Sequence, residues 1–533
     1  MNNLPLSRRS VLAGGAAVGA GVAAGALGAP LPALAVPKAR PGRISYPFLL
    51  GIASGDPSPD GVVLWTRLAV DPLAEDGFGG MTAAKYDVEF QVGLDEQFRT
   101  LARRGTKHAR RDEGYAIHVE LTGLEPGREY FYRFRIDEHV SPVGRTLTAP
   151  AAGAAVSALR TGIVSCAQYE HGYFTAYRRL AEDTPDLVLH LGDYIYEYRA
   201  GAYVASGGNP RDHAGPETTT LAGYRQRHAQ YKADTDLQAA HAVAPWVVVL
   251  DDHEVDNNWA GDVPEAPGNA GVTAAQFRAR RTAAFQAYYE NMPLRRAQVA
   301  KGAQMKLYRR LGWGSLANFH MLDTRQFRDD QANGDGTKPP TAESMDPRRS
   351  IMGLEQERWL YDGLGRSQAT WDVLGQQVFF ALSDFSPGAA EVYNMDSWDG
   401  YQPNRDRVMN AFQTRGVANP VVLTGDIHSH WANDLKADFR DPSSRTVGVE
   451  LVTTSITSGG NGSDRPSFGP TVRAENPHVK FDSNRRGYVL ATYTPTELRA
   501  DFRSLAQVRT PGAPVYTQAS FAVEAGNPGL HTA

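Results

Sequence analysis

The chain has 533 residues, which at about 100–200 residues per domain predicts two to four domains. Hydrophobic residues make up 42% and charged residues 21%, an ordinary globular balance that excludes a disordered, collagenous or coiled-coil chain. Lys plus Arg total 55 against 59 Asp plus Glu, so the net charge of -4 offers no basic field for nucleic acid or an anionic membrane, and a single cysteine excludes an intrachain disulfide.

Residues 1–35 read as an export signal. A polar start carries Arg8 and Arg9, an uncharged Ala- and Gly-rich run follows over 11–28, and Ala33-Leu34-Ala35 supplies a small-residue cleavage site. The weak hydrophobicity of that run argues against a stable membrane span. Ser7-Arg8-Arg9-Ser10-Val11-Leu12 resembles a twin-arginine signature, which implies export of the folded chain by the twin-arginine machinery to a secreted or periplasmic location.

Residues 36–150 read as an all-β N-terminal domain, with short apolar runs such as 61–66 and 86–92 between turn signals. Leu124-Glu125-Pro126-Gly127 followed by Tyr130-Phe131-Tyr132 resembles the tyrosine corner of a fibronectin/Ig-like β-sandwich. An Ala- and Pro-rich linker over 149–157 leads into a change of texture. Continuous apolar strands are predicted over 161–164, 187–191, 246–250, 373–381 and 421–424. Helices are predicted over 174–183, 221–232, 273–291 and 353–364. This alternation predicts an α/β catalytic domain over 155–510, with strands covered on both faces. Residues 511–533 read as an irregular C-terminal tail.

The polar groups sit where these strands end. Strand 161–164 runs into Ser165-Cys166, and strand 187–191 into Gly192-Asp193-Tyr194-Ile195-Tyr196-Glu197. Strand 246–250 runs into Asp251-Asp252-His253-Glu254, and strand 421–424 into Gly425-Asp426-Ile427-His428. Ligands of open α/β sheets gather beyond the carboxyl ends of the strands. Singly, each residue has a plain reading: Asp as a helix cap, His as a hydrogen-bonded surface group, Cys as small apolar filler. Together they deliver hard and borderline donors to one edge, and carboxylates so close to a core need compensating cations.

Gly192-Asp193-x-x-Tyr196, Asp252-His253-Glu254 and Gly425-Asp426-x-His428 resemble the successive blocks of calcineurin-like metallophosphatases. The Asp-x-x-Tyr spacing is similar to purple acid phosphatases, in which tyrosinate binds ferric iron. Further segments narrow the resemblance to the PhoD-type alkaline phosphatase and phosphodiesterase family. They are Gly51-Ile52-Ala53-Ser54-Gly55-Asp56-Pro57, Leu322-Asp323-Thr324-Arg325-Gln326, Trp398-Asp399-Gly400-Tyr401 and Gly425-Asp426-Ile427-His428-Ser429. The resemblance implies an αββα metallophosphatase sandwich and a centre of one Fe3+ and two Ca2+. It implies Cys166, Asp193, Tyr196 and His428 as iron ligands, with Asp193 bridging to calcium. Asp252 and Asp426 stand where related phosphatases place Asn and His, and the anionic oxygens suit Ca2+. Asn257, Asn258 and Asp323 are further calcium candidates, with loop capping as their other reading.

The expected chemistry is attack on phosphorus by an oxide or hydroxide held near the metals, with no protein nucleophile. His253 is a candidate proton donor to the leaving oxygen or a ligand-orienting group. Arg225 and Arg325 are candidates for bidentate phosphate contact, with a structural salt bridge as the alternative. A calcium-dependent phospholipase D-type phosphodiesterase on the same scaffold is a second reading, and a non-catalytic secreted binding protein a third.

Overall fold

The predicted strands form as continuous apolar runs because both of their faces are covered. A computed structural model describes residues 44–265 and 271–533. The export signal read over 1–35 lies outside the described residues. Within the unit Tyr46–Ala533, predicted strands are found at Leu159–Val164, Leu187–His190, Trp246–Val248 and Pro420–Thr424, while the one expected over 373–381 is instead Trp371–Gly375, with 376–381 outside any strand. The predicted helices are found at Thr175–Glu182, Leu221–Lys232, Ala274–Asn291 and Gly353–Leu364. Helix Ala274–Asn291 starts at a reciprocal capping box between Thr273 and Gln276, which satisfies two backbone N–H groups at its first turn.

The strands build two sheets. In the first, Leu159–Val164, Leu187–His190 and Trp246–Val248 run parallel, with Val188 beside Gly162 on one side and Trp246 on the other. In the second, the hairpin Arg309–Trp313/Ala317–Met321 leads into parallel Trp371–Gly375, Pro420–Thr424 and Thr446–Val452. The 15-residue strand Val479–Tyr493 joins them. Its first half pairs with His430–Lys436 and its second half with Leu159–Val164.

Side-chain alternation along each strand explains the layering. Leu187, Leu189 and Val247 share one apolar cluster with Phe319, Val373, Val421, Leu423 and Leu451 of the second sheet, so the two sheets meet across it. Val188 and Val248 point the other way, against Tyr177, Leu180, Tyr224 and Phe285 of the helices. On the second sheet, Leu374 and Val422 pack with Leu360, Val408 and Phe412. Among the described residues no helix is long and apolar enough to cross a membrane.

In the N-terminal region the Glu125 backbone N–H donates to the Tyr130 hydroxyl at 2.9 Å. Lys85–Gly93, Leu101–Arg110, Glu129–Ile136, His139–Val140 and Gly144–Leu147 form their own five-stranded sheet. Ile52–Ser58, Gly61–Arg67 and Ala116–Glu120 instead extend the first large sheet, with Gly55 registered beside Trp246. The expectation of an irregular tail over 511–533 is corrected. Val515–Glu524 and Asn527–Thr532 are strands that add to Glu497–Leu505 at the edge of that sheet. The alternation there is weak because one face of this edge is only half covered, so the apolar signal of a buried strand is missing.

Candidate metal centre

Four strand ends deliver the centre, and at three of them the backbone turns through a left-handed residue. Cys166, Asp193, Asp426 and His428 all have positive φ, between 55° and 60°. For non-glycine residues this left-handed conformation costs on the order of 1 kcal/mol or more each, and such strain collects at functional sites. Two glycines make the bends possible. At Gly192, φ is +113° and a Cβ would lie 2.3 Å from Asp251 Cβ; at Gly425 it would lie 2.9 Å from Ser165 Oγ. The Gly-Asp pairs of the sequence are therefore a steric requirement of neighbouring strands.

Hydrogen bonds lock the bends together. The Cys166 N–H donates to Gly192 O at 3.1 Å and the Ala167 N–H to Asp193 O at 2.9 Å. The buried Glu254 carboxylate accepts the N–H groups of Asp193 (3.1 Å), Asp251 (2.6 Å) and Tyr194. Arg486, also buried, donates to the carbonyl of His428 and to Ser455 Oγ.

Seven residues named from the sequence, Cys166, Asp193, Tyr196, Asp252, His253, Asp426 and His428, converge. Cys166, Asp193 and His428 each offer a donor atom within 4.8 Å of the others, as do Asp193, Asp252 and His253, and as do Asp251, Asp252 and Asp426. The Tyr196 hydroxyl donates to Asp193 Oδ2 at 2.8 Å, lies 3.1 Å from His428 Nε2 and accepts from Ser458 Oγ at 2.7 Å. Asp193 and Asp252 each belong to two of these groups.

The electrostatics of the protein alone are unfavourable, and bound cations would relieve them. Burial, then the neighbouring acids, pushes Asp193 and Asp426 well above the usual carboxylate range. Burial, then Asp193, likewise raises the Cys166 thiol and the Tyr196 phenol. Burial and the nearby Arg486 hold His428 down to about 3, so its imidazole is neutral and free to ligate. Asp252 Oδ1 is buried without a hydrogen-bond partner. Its carboxyl is nevertheless held below the usual range: burial opposes ionisation, but His253, Arg325 and the Asn258 N–H outweigh it. A thiol, a phenol, an imidazole and crowded carboxylates around one point fit a cluster of metal ions.

The other candidate residues divide. His253 lies in the centre, its Nδ1 2.8 Å from Glu197 Oε2 and its ring stacked on Tyr196 at 4.0 Å. Asn257 and Asn258 line the pocket, while Asp323 does not; its oxygens cap the N–H groups of Arg325 and Gln326. Arg225 is corrected. It is absent from the pocket lining, and its fork is taken up by Glu290, with both contacts at 2.6 Å in a buried pair. Arg325 is fully buried and takes the structural role, bonding Asp251 Oδ1 at 2.5 Å and Asp396 Oδ1 at 2.8 Å. Three contributors were missed from sequence: Glu197, Ser458 and Arg486. Glu197 follows Tyr196 directly and was visible in that motif. Ser458 and Arg486 come from distant segments and carry no local signal.

Parallel α/β strands that end in such a donor cluster define a metal-dependent hydrolase. The chain belongs to the PhoD-like phosphatase family, whose model matches residues 161–502, with the family's N-terminal domain matching residues 34–150. It is 50% identical over 493 residues to alkaline phosphatase D of Bacillus subtilis (strain 168), an alignment covering 92% of this chain and 83% of that protein. A solved structure of PhoD is similar with a TM-score of 0.89 at 50% identity, covering 92% of this chain and 93% of that one.

Proposed function

We propose that this phosphatase is an exported alkaline phosphatase that hydrolyses phosphate monoesters and diesters at a centre of one ferric iron and two calcium ions. The observation that carries this reading is the meeting of Cys166, Asp193, Tyr196 and His428 beside Asp252 and Asp426. The thiolate, phenolate and imidazole would hold iron, and Asp252 and Asp426 would hold calcium with Asp193 shared. The 50% identity to a protein named alkaline phosphatase D supports it. The layering of helices, two sheets and helices supports the αββα assignment, and the corner at Tyr130 supports a fibronectin-like N-terminal domain over 36–150 before a catalytic domain over 155–510. Export rests on the signal read over 1–35.

Bound cations supply charge neutralisation on the ester oxygens and an acidified water. The protein's own groups do the rest. Glu197 engages His253 Nδ1, which leaves Nε2 for the pocket and favours the protonated ring. His253 then delivers a proton to the departing alkoxide. Cys166 is buried with its Sγ grouped with Asp193 and His428, which suits a ligand rather than an attacking group. Arg325 keeps Asp251 and Asp396 compensated beneath the centre.

The test is elemental analysis of natively exported protein, with turnover measured before and after a calcium chelator. Iron and calcium together, with activity lost on chelation and restored by calcium, is the expected result. Protein active without iron would overturn the assignment. Parallel assays on an aryl phosphate, a soluble diester and phosphatidylcholine separate this activity from a phospholipase D-type one, and release of phosphate from none of them would revive the binding-protein reading.

A further inference from the structure

We propose that Tyr198 and Tyr203 form a subsite for a flat ring on the alcohol side of the phosphate ester, so that esters of ring-bearing alcohols are preferred to those of short linear ones. This rests on the phosphate-ester reading of the centre. The pocket over the centre has a volume of about 390 Å³ and two chemically different walls. One is ionic, with Asp193, Asp252, Asp426 and the histidines. The other is Tyr198, Ala202 and Tyr203. A volume above about 300 Å³ takes a small organic group, not phosphate alone.

The aromatic wall is contiguous with the reacting end. The Tyr198 ring meets the His253 ring edge-on at 5.3 Å, and Tyr203 meets Tyr198 edge-on at 5.8 Å. His253 is the group that serves the leaving oxygen, so the alcohol bound to that oxygen is placed toward these rings. Both tyrosines are half-buried, and the exposed Ala202 between them is too small to fill the space. Aromatic faces and edges attract flat rings beyond simple area burial, whereas a short linear alcohol gains little there.

The wall is built in advance of binding. The buried His213 Nδ1 holds the Tyr198 carbonyl at 2.9 Å, and the buried His171 Nε2 holds the Tyr203 carbonyl at 3.1 Å. The buried Glu170 accepts the Gly201 N–H at 3.0 Å. With the backbone held this way, and the Tyr203 ring packed edge-on against His171 at 4.4 Å, the rings lose little further freedom when a ligand stacks on them.

The experiment compares phenylphosphonate with methylphosphonate as competitive inhibitors of the metal-loaded enzyme, in the wild type, Tyr198→Ala, Tyr203→Ala, the double variant and Tyr198→Phe. The ratio of the two inhibition constants is the readout, and methylphosphonate serves as the internal control for an intact centre. The wild type is expected to favour the phenyl compound by about tenfold, each alanine variant to reduce that ratio by about threefold or more, and Tyr198→Phe to retain it. Methylphosphonate binding without a phenyl preference, or a preference that survives in the double variant, overturns the subsite while leaving the phosphatase reading in place. Failure of both phosphonates to bind removes the phosphate-ester reading and the subsite with it.

Discussion

The Glu197 carboxylate sits 2.8 Å from His253 Nδ1, while its other oxygen accepts the Asn257 N–H at 3.0 Å. One buried acid therefore sets both the orientation of the ring and the start of the pocket loop. Because Glu197 occupies Nδ1, only Nε2 is left to meet substrate. His253→Ala is expected to lower kcat by about 100-fold or more on esters with poor leaving groups and far less on activated aryl esters. Glu197→Gln is expected to show the same trend more weakly. A rate series over aryl esters of graded leaving-group acidity checks this; an equal loss across the series would mean that His253 does not serve the leaving oxygen.

The iron assignment makes a spectroscopic prediction. Tyr196 lies in contact with Asp193 and His428, so as a ferric ligand it gives the protein a visible charge-transfer band. Tyr196→Phe is expected to abolish the band with the fold kept. Cys166→Ala is expected to lower iron content and turnover together, read by elemental analysis alongside the assay. Full iron and full turnover in Cys166→Ala would remove the thiol from the ligand set.

Two buried arginines have separate expected phenotypes. Arg225→Ala strands Glu290 in a pair whose members are each 4% exposed, with an expected loss of about 3–5 kcal/mol in stability. Because Arg225 lies outside the pocket lining, KM of the folded fraction should stay unchanged. Arg325→Met removes the cation that pairs Asp251, shares Asp396 with Arg328 and faces Asp252 and Asp426, so its loss should weaken metal binding as well as stability. Denaturant midpoints and metal titrations distinguish the two; a raised KM in Arg225→Ala would restore the phosphate-contact role.

Away from the metals, His118 predicts an acid sensitivity. It stacks on Tyr289 at 4.5 Å, and its Nε2–H donates to the carbonyls of Tyr289 and Met292. The half-buried ring loses enough solvation in its packed site for the pKa to fall to about 4, against about 6.5 for a free imidazole. The unfolded chain therefore binds a proton more readily than the folded one between these values. The stability contribution is complete above the unfolded value and is lost as pH falls toward 4. Between about pH 7.5 and about pH 4.5 the wild type is expected to lose about 2 kcal/mol more than His118→Gln. Urea midpoints at the two pH values measure it, and parallel losses would show that the fold does not hold the ring neutral.

Much of the centre was legible in the chain because its donors follow directly on apolar strands. Val188 and Leu189 must cover opposite faces of a buried strand, so the first polar residues after them fall at its end. Asp193, Tyr196, Asp252, His253, Asp426 and His428 could all be placed by that rule, and Cys166 by the same logic one strand earlier. The edge strands Val515–Glu524 and Asn527–Thr532 escaped it, since a half-covered edge carries no continuous apolar run.

What the sequence alone determined was therefore which residues lie at strand ends and which donor types they bring, because strand periodicity and covalent order are local properties. The tertiary structure decided their partners. It set Arg225 on Glu290 and Arg325 under Asp251 and Asp396, and brought Ser458 to the Tyr196 hydroxyl across 262 residues of chain. An arginine's charge and reach are the same in every context; only the packing of distant segments around it settles whether a carboxylate or a substrate stands within them.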